Sequence, residues 1–466
     1  MVVGNVPEAA DFVVIGAGPG GYTAALDAAH RGRKVMLIDR AGEAGVGGVC
    51  LNVGCIPSKT LIESADLYHR AAHAENQGLP PVDGPFDLER FQTFRARVVS
   101  SLAGGVRAQL QAANVEIIAG TVTLTDSHVL VINTPDNQAR FVQFKSLVIA
   151  TGSSPIELPG LPFSAQVVDS TAFLAQTSLP KNLLVVGGGY IGLELGTAAA
   201  KLGVSVTIVE AETRLLPAMP EMLAGPISRR LSTLGIQVAL GTRVLDFDGA
   251  AVTAQDANGK EAQYPADQML VAVGRRPNTL DLGLDMVLGD RPAGVLEVTP
   301  DRLVTRDIAA VGDITPGPAL AHKASAEATV AVQALCGERV AFEPAAIPSI
   351  VFSDPEIGSA GLSYEAAGEA GLEAERTRVP LGISGRAATL AAREGFAEIV
   401  WERDGGAVIG VHIAAPHASE LIAEAVVAIE MGVTVEDLSL VVHPHPTLSE
   451  LLGDTAVRAQ TQGETP

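Results

Sequence analysis

Two cysteines lie five positions apart in the segment GGVCLNVGCIPSK, residues 47–59, and are the first candidates for chemistry. If the segment were a regular helix, the Cα atoms of Cys50 and Cys55 would be about 8.7 Å apart. Because a disulfide spans only about 4.4–6.8 Å between Cα atoms, pairing requires a break in the helix, and Gly54 supplies the backbone freedom. Pro57 suits the first turn of a following helix, where a nearby lysine stabilises a thiolate. Two interpretations stay open from the spacing: a redox-active pair, or two inert core cysteines.

A second candidate lies near the C-terminus, in the segment HPHPTLSE, residues 443–450. His445 stands between two prolines, and Glu450 follows five positions later. Such a pair suits a general base oriented by a carboxylate. A metal ligand or a surface turn would produce the same pattern, and the segment alone does not choose among the three.

Two glycine-rich segments each follow a short apolar run and open an alanine-rich stretch. This pattern of strand, GxGxxG, helix, strand and acid predicts a dinucleotide-binding unit, whose glycines let the backbone approach a pyrophosphate at a helix N-terminus. In both units the acid stands 23 residues after the first glycine. The first unit has Gly16, Gly18, Gly21 and Asp39, and the second has Gly187, Gly189, Gly192 and Glu210. Two such units predict an enzyme that relays electrons between two dinucleotides.

Length and composition narrow the class of protein. The 466 residues suggest about three domains, and the net charge of −21 disfavours nucleic acid and anionic membranes as partners. The three cysteines do not suit a disulfide-stapled secreted scaffold. Residues 1–10 show no signal-peptide pattern, and the longest apolar run, 183–200, is interrupted by five glycines. We therefore expect a cytoplasmic protein without a membrane span.

The elements that must position these candidates follow from the hydrophobic pattern. It predicts amphipathic helices near 87–113 and 417–431 and a hairpin within 122–132. From about Ile347 onwards, short strands alternate with amphipathic helices, and Asp404-Gly405-Gly406 forms a hairpin turn. This region predicts an antiparallel α+β domain without a nucleotide motif.

The segments GGVCLNVGCIPSK, GGGYIGLELG, AVGRRPN, AVGDI and HPHPTLSE resemble, in order and spacing, the flavoprotein disulfide reductase family. The resemblance extends over nearly the whole chain. It implies an α/β fold with two Rossmann-like dinucleotide-binding domains and a C-terminal α+β dimerisation domain. It also implies four parts: residues 1–154 and 276–346 bind FAD, residues 155–275 bind NAD, and residues 347–466 form the interface of a homodimer.

The family pattern also implies a role for individual residues. Cys50 is implied to exchange with substrate, Cys55 to face the flavin, and His445, oriented by Glu450, to act as the acid–base on the cysteines of the other subunit. No metal site is implied. The implied FAD contacts are Gly16, Gly18, Gly21, Asp39, Lys59, Gly120, Asp313 and Ala321. The implied NAD contacts are Gly187, Gly189, Gly192, Glu194, Glu210 and Gly274.

Within the family, the chain most resembles members that oxidise protein-bound dihydrolipoyl groups with NAD⁺. The implied partner is a lipoyl-bearing protein of a 2-oxoacid dehydrogenase or glycine-cleavage complex. Glu210 favours NAD because a carboxylate there binds the 2′-hydroxyl and repels the 2′-phosphate of NADP, and we expect Arg214 to lie on the surface.

Two alternatives are an NAD(P)H-dependent reductase of another small disulfide or of mercuric ion, and a non-enzymatic flavin-binding subunit. Mercuric reductases carry additional C-terminal cysteines, whereas no cysteine follows Cys336. A scaffold subunit should have lost part of the set Cys50, Cys55, His445 and Glu450, and all four are present.

Overall fold

The computed structural model describes residues 7–80, 82, 84–289 and 294–463. The chain forms two compact units. The first contains Met1–Leu61, Asp87–Ile156 and Gly274–Glu343, and the second contains Ile62–Phe86, Glu157–Val273 and Pro344–Pro466. Residues 1–6 of the segment inspected for a signal peptide lie outside the described residues. The four-part division of the chain stays a prediction.

The first unit is built on an eight-stranded mixed sheet. Five of its strands are parallel, so their carboxyl ends meet at one edge; in spatial order they are Ile308–Ala310, Ala139–Ile149, Glu8–Ile15, Val35–Asp39 and Glu116–Ala119. Leu303–Thr305 pairs antiparallel with the first of these, and the hairpin Thr121–Asp126 and Val129–Asn133 pairs with Ala139–Ile149. A separate two-stranded ribbon joins Ser153–Pro155 and Arg275–Pro277.

Helices cover this sheet with small and aliphatic side chains. The α-helices of the first unit are Pro19–His30, Gly48–Asn52, Leu88–Ala112, Asp285–Leu288 and Ala321–Leu335, with 3₁₀ turns at Gly42–Gly45 and Gly312–Ile314. Helix Cys55–Ala72 begins in this unit and continues into the second. One core cluster packs Ala24, Ala25 and Ala28 of the first helix against the sheet. The small alanine side chain allows the helix to approach the sheet closely.

The second unit contains a five-stranded parallel sheet and two antiparallel sheets. The parallel strands, in spatial order, are Gln237–Ala239, Ser205–Val209, Asn182–Val186, Gln268–Val271 and Val167–Val168. Thr242–Phe247, Ala251–Asp256 and Glu261–Pro265 form a three-stranded meander. The C-terminal sheet has the spatial order Ser349–Val351, Ile357–Gly361, Val408–Ala414, Phe396–Glu402 and Ala374–Pro380.

The helices of this unit lie against these sheets. They are Ser170–Leu174, Tyr190–Lys201, Ala224–Thr233, Tyr364–Glu369, Gly385–Thr389, Ala418–Glu430, Val435–Ser439 and Glu450–Gly463. The 3₁₀ turns are Glu75–Gln77, Glu221–Leu223 and Leu381–Ile383. In the described part of the chain, no helix combines the length and apolarity needed to cross a membrane.

The predicted fold class is confirmed, including the two helices, the hairpin and the antiparallel C-terminal sheet turned at residues 404–406. The meander at 242–265 and helix Glu450–Gly463 have no counterpart in the prediction. Three of the six residues of strand Thr242–Phe247 are exposed and one is buried, so its apolar alternation is weak. A pattern without a buried face gives little signal for a strand.

Candidate active site

The two cysteines flank a break between helices. Cys50 lies in the short helix Gly48–Asn52, and Cys55 is the first residue of Cys55–Ala72. Residues 53–54 separate the helices, as disulfide geometry requires. Asn52 holds the first helix by donating from Nδ2 to the carbonyl oxygens of Val46 and Gly48, each at 3.0 Å. The break therefore belongs to a fixed local structure, which we call the dithiol segment (residues 47–59).

Both cysteines are thiols in this structure, and they interact with each other. A hydrogen bond to the Cys55 sulfur, burial, and the charge of Cys55 raise the pKa of Cys50, while Lys59 and the backbone N–H of Cys55 oppose the shift. Cys50 thus keeps its proton and requires a base to become a nucleophile. Burial, and the charge of Cys50, raise the pKa of Tyr22, so this tyrosine also belongs to the site. It stands 28 residues before Cys50, and no motif marks it.

The dithiol segment is attached to the first glycine loop, residues 16–21. Gly47 donates its N–H to the carbonyl oxygen of Ala17 at 2.8 Å. Gly48 has φ +58°, and a Cβ there would lie 2.5 Å from the Cα of Gly18. The sequence could not predict this contact, which joins the two motifs through backbone.

The two glycine loops share their hydrogen bonds as well as their spacing. In the first, Ala17 donates its N–H to Asp39 Oδ2 at 3.0 Å; in the second, Gly188 donates to Glu210 Oε2 at 2.5 Å. Gly16 and Gly187 both have positive φ, and a Cβ would lie 2.4 Å and 2.5 Å, respectively, from a carbonyl oxygen of the neighbouring strand end. The internal repeat is therefore a structural repeat.

Gly189 tests whether a dinucleotide fits the second loop. Its φ of −76° suits any residue, and a Cβ there would meet no heavy atom of the described chain within 4 Å. Neither backbone strain nor packing calls for glycine here. Gly189 is also the N-cap of helix Tyr190–Lys201, whose first N–H groups form the positive end of the helix dipole. The open space at a helix N-terminus fits a pyrophosphate.

The other predicted FAD contacts collect at the carboxyl edge of the eight-stranded sheet. Asp39 and Gly120 lie at the ends of two parallel strands, and Gly120 donates its N–H to the Asp39 carbonyl oxygen at 2.9 Å. Asp313 follows a third strand and accepts a hydrogen bond from Ser153 Oγ at 2.5 Å. Gly18 and Ala321 lie at the N-termini of the helices Pro19–His30 and Ala321–Leu335. Helix N-termini, carboxylates and backbone that a ligand can approach closely meet at this edge. Proteins bind dinucleotides with this combination of groups.

A buried ion cluster fixes the turn that carries Asp313. The fully buried Glu327 accepts from the backbone N–H of Gly312 at 2.7 Å and from Arg302 Nη1 at 3.0 Å. Lys323 Nζ lies 3.2 Å from the same carboxylate, one helical turn away. The Lys323–Glu327 spacing was the only sequence signal for this cluster.

Three further residues predicted to contact the cofactors lie in helices or make hydrogen bonds within the protein. Lys59 lies one turn into helix Cys55–Ala72. The buried Glu194 accepts from the backbone N–H of Phe352 at 3.0 Å. Gly274 has φ +130°, and its carbonyl oxygen accepts from the N–H of Ile156 at 3.2 Å in the first unit.

Arg214 corrects an expectation. We expected it to lie on the surface; it is half-buried, and its guanidinium donates to the carbonyl oxygens of Leu216, Pro217 and Met219 at 3.0, 2.6 and 2.9 Å. The guanidinium is therefore committed to its own loop.

The predicted histidine–glutamate pair is formed. His445 Nδ1 lies 2.8 Å from Glu450 Oε1, and Glu450 Oε2 accepts from the backbone N–H of Thr447 at 2.8 Å. The Thr447 N–H and then His445 hold the pKa of Glu450 below its usual value, so the residue is a carboxylate. Since a carboxylate accepts, Nδ1 carries the proton and leaves the Nε2 lone pair of the neutral ring for proton transfer. The ring is 79% exposed. This pair lies in the second unit, and the dithiol segment lies in the first.

No group of three or more His, Cys, Asp or Glu side chains in the described residues could hold a metal ion. A metal-ligand role for His445 therefore has no support from neighbouring side chains.

Known protein families and proteins match nearly the whole chain. Residues 10–328 match the pyridine nucleotide-disulphide oxidoreductase family, and residues 347–456 match its dimerisation domain. The chain is 42% identical over 461 residues to a dihydrolipoyl dehydrogenase of Geobacillus stearothermophilus, covering 98% of this chain and 97% of that protein. It is 41% identical to the enzyme of the same name from Bacillus subtilis, with the same coverage. The crystal structure of LpdA from Mycobacterium tuberculosis is similar, with a TM-score of 0.88 and 29% identity over 96% of this chain and 99% of that one.

Proposed function

The chain belongs to the pyridine nucleotide-disulphide oxidoreductase family, and from that premise we propose that it oxidises protein-bound dihydrolipoyl groups to lipoyl groups, with NAD⁺ as hydride acceptor. The observation that carries the proposal is the dithiol segment, in which Cys50 and Cys55 interact across a helix break attached to the first glycine loop. Relatives named for this reaction match over nearly the full chain.

The two cofactors are assigned to the two glycine loops. The first loop, with Asp39, Lys59, Gly120, Asp313 and Ala321, holds FAD, because the dithiol that exchanges electrons with the flavin is attached to that loop. The second loop, with Glu194, Glu210 and Gly274, holds NAD. When bound, FAD would supply the two-electron chemistry that connects the dithiol to NAD⁺, the hydride acceptor.

Cys50 and Cys55 carry out the thiol exchange. In the oxidised enzyme they form a disulfide, and a thiolate of the dihydrolipoyl group attacks the sulfur of Cys50 and displaces the Cys55 thiolate. The second substrate thiol loses its proton to solvent, and the resulting thiolate attacks the substrate sulfur of this mixed disulfide. That step closes the lipoyl disulfide and releases Cys50 as a thiolate, which takes up a proton. The enzyme gains the two electrons that the substrate loses.

His445 moves the protons of this exchange. Its Nε2 takes the proton from the attacking substrate thiol, while Glu450 keeps Nδ1–H in place and stabilises the imidazolium that forms. The imidazolium then returns a proton to Cys50, whose raised pKa makes it a good acceptor. The exposed ring suits a group that must meet a substrate carried on another protein.

The homodimer is supported by an apolar surface on the second unit. Val427, Met431, Leu440 and Val442 are exposed, Val442 by 94%, within the region that matches the dimerisation domain. Large exposed apolar side chains in one region indicate an interaction surface. We place each active site across the dimer, with the histidine of one protomer serving the dithiol of its partner.

A hybrid dimer tests this sharing. Co-expression of Cys50→Ser and His445→Gln protomers with different affinity tags gives hybrids that retain one complete site only if the histidine acts across subunits. About half of the wild-type rate is expected, since each inactive parent lacks a group that contributes about 10²–10⁴-fold or more. An inactive hybrid would place the dithiol and histidine of each site within one protomer.

Glu210 and Arg214 support NAD over NADP. The Glu210 carboxylate lies at the strand end, where it accepts from Gly188 and Glu212, and it repels a 2′-phosphate. Arg214 cannot pair with that phosphate while its guanidinium is bonded to three carbonyl oxygens.

The partner and the compartment follow from this chemistry. The partner is a lipoyl-bearing protein of a 2-oxoacid dehydrogenase or glycine-cleavage complex. A dithiol that cycles through its reduced form suits the reducing cytoplasm.

The test is a steady-state assay of the purified protein with dihydrolipoamide and NAD⁺ or NADP⁺, beside glutathione disulfide with NADH or NADPH. We expect turnover with dihydrolipoamide and NAD⁺, and no turnover with that pair would refute the proposal. Cys50→Ser should lose this activity and keep its flavin. Flavin loss in this variant would instead assign the cysteine a structural role.

A further inference from the structure

We propose that a second histidine–glutamate pair, His443 with Glu424, positions the catalytic His445. This inference rests on the function proposed above and concerns residues to which the family motif assigned no role.

His443 is held on both sides of its ring. Its Nε2 lies 2.8 Å from Glu424 Oε1, and its Nδ1 lies 3.2 Å from the carbonyl oxygen of Val441. Glu424 belongs to helix Ala418–Glu430, so the bond joins the histidine segment (residues 443–450) to a helix packed in the C-terminal core. The His443 side chain is 9% exposed, whereas that of His445 is 79% exposed. The two histidines of one segment therefore have opposite environments: His443 is buried and bonded to a helix, and His445 is exposed to solvent.

Gly453 provides the space for this anchor. A Cβ at this position would lie 2.7 Å from Nδ1 and 2.9 Å from Cε1 of His443. Gly453 lies in helix Glu450–Gly463, one turn after the glutamate that orients His445. His443 is thus wedged against the helix that begins with Glu450 and is bonded to a second helix through Glu424.

This arrangement fixes the loop between the two pairs. Thr447 donates from Oγ1 to the carbonyl oxygen of Pro444 at 2.7 Å and from its N–H to Glu450. One end of the loop is therefore held at His443 and the other at Glu450. His445 lies between them, and Glu450 contacts its exposed ring. If the His443 side chain is removed or displaced, the loop can shift while Glu450 stays in position. The shift would lengthen the 2.8 Å hydrogen bond between His445 Nδ1 and Glu450 Oε1.

The test compares two activities of the flavin-loaded dimer. Oxidation of dihydrolipoamide by NAD⁺ uses the dithiol and His445, whereas oxidation of NADH by ferricyanide uses the cofactors and bypasses thiol exchange. We expect His443→Ala to lower kcat for dihydrolipoamide by up to about 10²-fold, the usual cost of misplacing a reacting group by about 1 Å. We expect an unchanged KM for dihydrolipoamide and an unchanged ferricyanide rate. His443→Gln can still donate to Glu424 and should restore much of the loss.

Two further variants separate positioning from folding. Gly453→Ala adds one methyl group and favours the helix, so we expect a lower kcat for dihydrolipoamide without loss of thermal stability. Glu424→Ala should lower kcat in the same way, and the double variant with His443→Ala should be no slower than His443→Ala alone, because both remove one contact. His128→Ala is the matched control; His128 lies 3.3 Å from Asp307 in the first unit, and its loss should leave both activities unchanged.

The outcomes are distinct. If the wild-type protein does not oxidise dihydrolipoamide, the proposed function is wrong and this inference fails with it. If the wild type is active and both His443→Ala and Gly453→Ala match it, only the positioning role is overturned. Equal losses in both activities would show a structural role and would overturn it as well.

Discussion

His412 should make the C-terminal sheet sensitive to acid. It lies on strand Val408–Ala414 with a fully buried side chain. Its Nε2 donates to the carbonyl oxygen of Leu362 at 3.2 Å, and its Nδ1 accepts from Ser359 Oγ at 2.9 Å, so the neutral ring is satisfied. Burial, aided by Arg378 and opposed by the Leu362 carbonyl and Glu365, lowers its pKa from 6.5 to about 4.

The sign and size of the effect follow from linkage. Because the pKa is lower in the folded protein, the unfolded chain binds more protons between pH 4 and 6.5, and stability falls as the pH falls through this range. Relative to pH 8, the loss from His412 alone is about 1.4 kcal/mol at pH 5.5 and about 2.5 kcal/mol at pH 4.5. Below the folded pKa the loss levels off at about 3.4 kcal/mol.

Urea unfolding of the wild type and of His412→Gln at several pH values measures this effect. The protein has one tryptophan, Trp401, on the adjacent strand Phe396–Glu402, and its fluorescence reports on the same sheet. Other titrating groups contribute to both proteins, so the difference between their unfolding free energies isolates position 412. We expect that difference to change by about 2.5 kcal/mol in favour of the glutamine variant between pH 8 and 4.5. A difference that stays constant within about 0.5 kcal/mol would refute the reasoning.

Three other perturbations test the site. Glu450→Gln removes the charge that stabilises the His445 imidazolium, so kcat for dihydrolipoamide should fall by about 10–10²-fold with flavin content unchanged. A normal kcat would show that Glu450 takes no part in the proton transfer. Gly189→Ala places a methyl group where no atom of the described residues lies within 4 Å. KM for NAD⁺ should therefore rise about tenfold or more at unchanged melting temperature, and an unchanged KM would place the dinucleotide elsewhere. Glu327→Gln leaves Lys323 and Arg302 with a neutral partner. The unfolding free energy measured in urea should fall by about 3–5 kcal/mol, the usual cost of breaking a buried ion pair. An unchanged unfolding free energy would contradict the proposed support of the Asp313 turn.

Local features of this fold were predictable because neighbouring residues determine them. The glycine loops lie between a strand and a helix that the apolar pattern marks. Asp39 is the last residue of strand Val35–Asp39, and Glu210 directly follows strand Ser205–Val209. The break between Cys50 and Cys55 follows from covalent limits on a disulfide. His445 and Glu450 are five residues apart, within reach of each other in one turn.

Contacts between distant residues were not predictable. The Glu424–His443 bond joins positions 19 apart, and Tyr22 and Cys50 belong to separate helices. Arg214 follows a strand as a phosphate-binding arginine would, and only the loop geometry at 216–219 shows that its donors are used. Such contacts depend on how elements pack, which no local periodicity specifies.

The central claim, that Cys50 and Cys55 cycle between dithiol and disulfide during turnover, is tested most directly by alkylation and mass spectrometry. The enzyme is quenched in acid after three treatments: NAD⁺ alone, dihydrolipoamide alone, and dihydrolipoamide followed by excess NAD⁺. The precipitated protein is then unfolded and labelled with iodoacetamide at mildly alkaline pH, where free thiols ionise. We predict a Cys50–Cys55 disulfide in the first and third samples and label on both cysteines in the second, with labelling of Cys336 constant throughout. Equal labelling of Cys50 and Cys55 in all three samples would contradict the account.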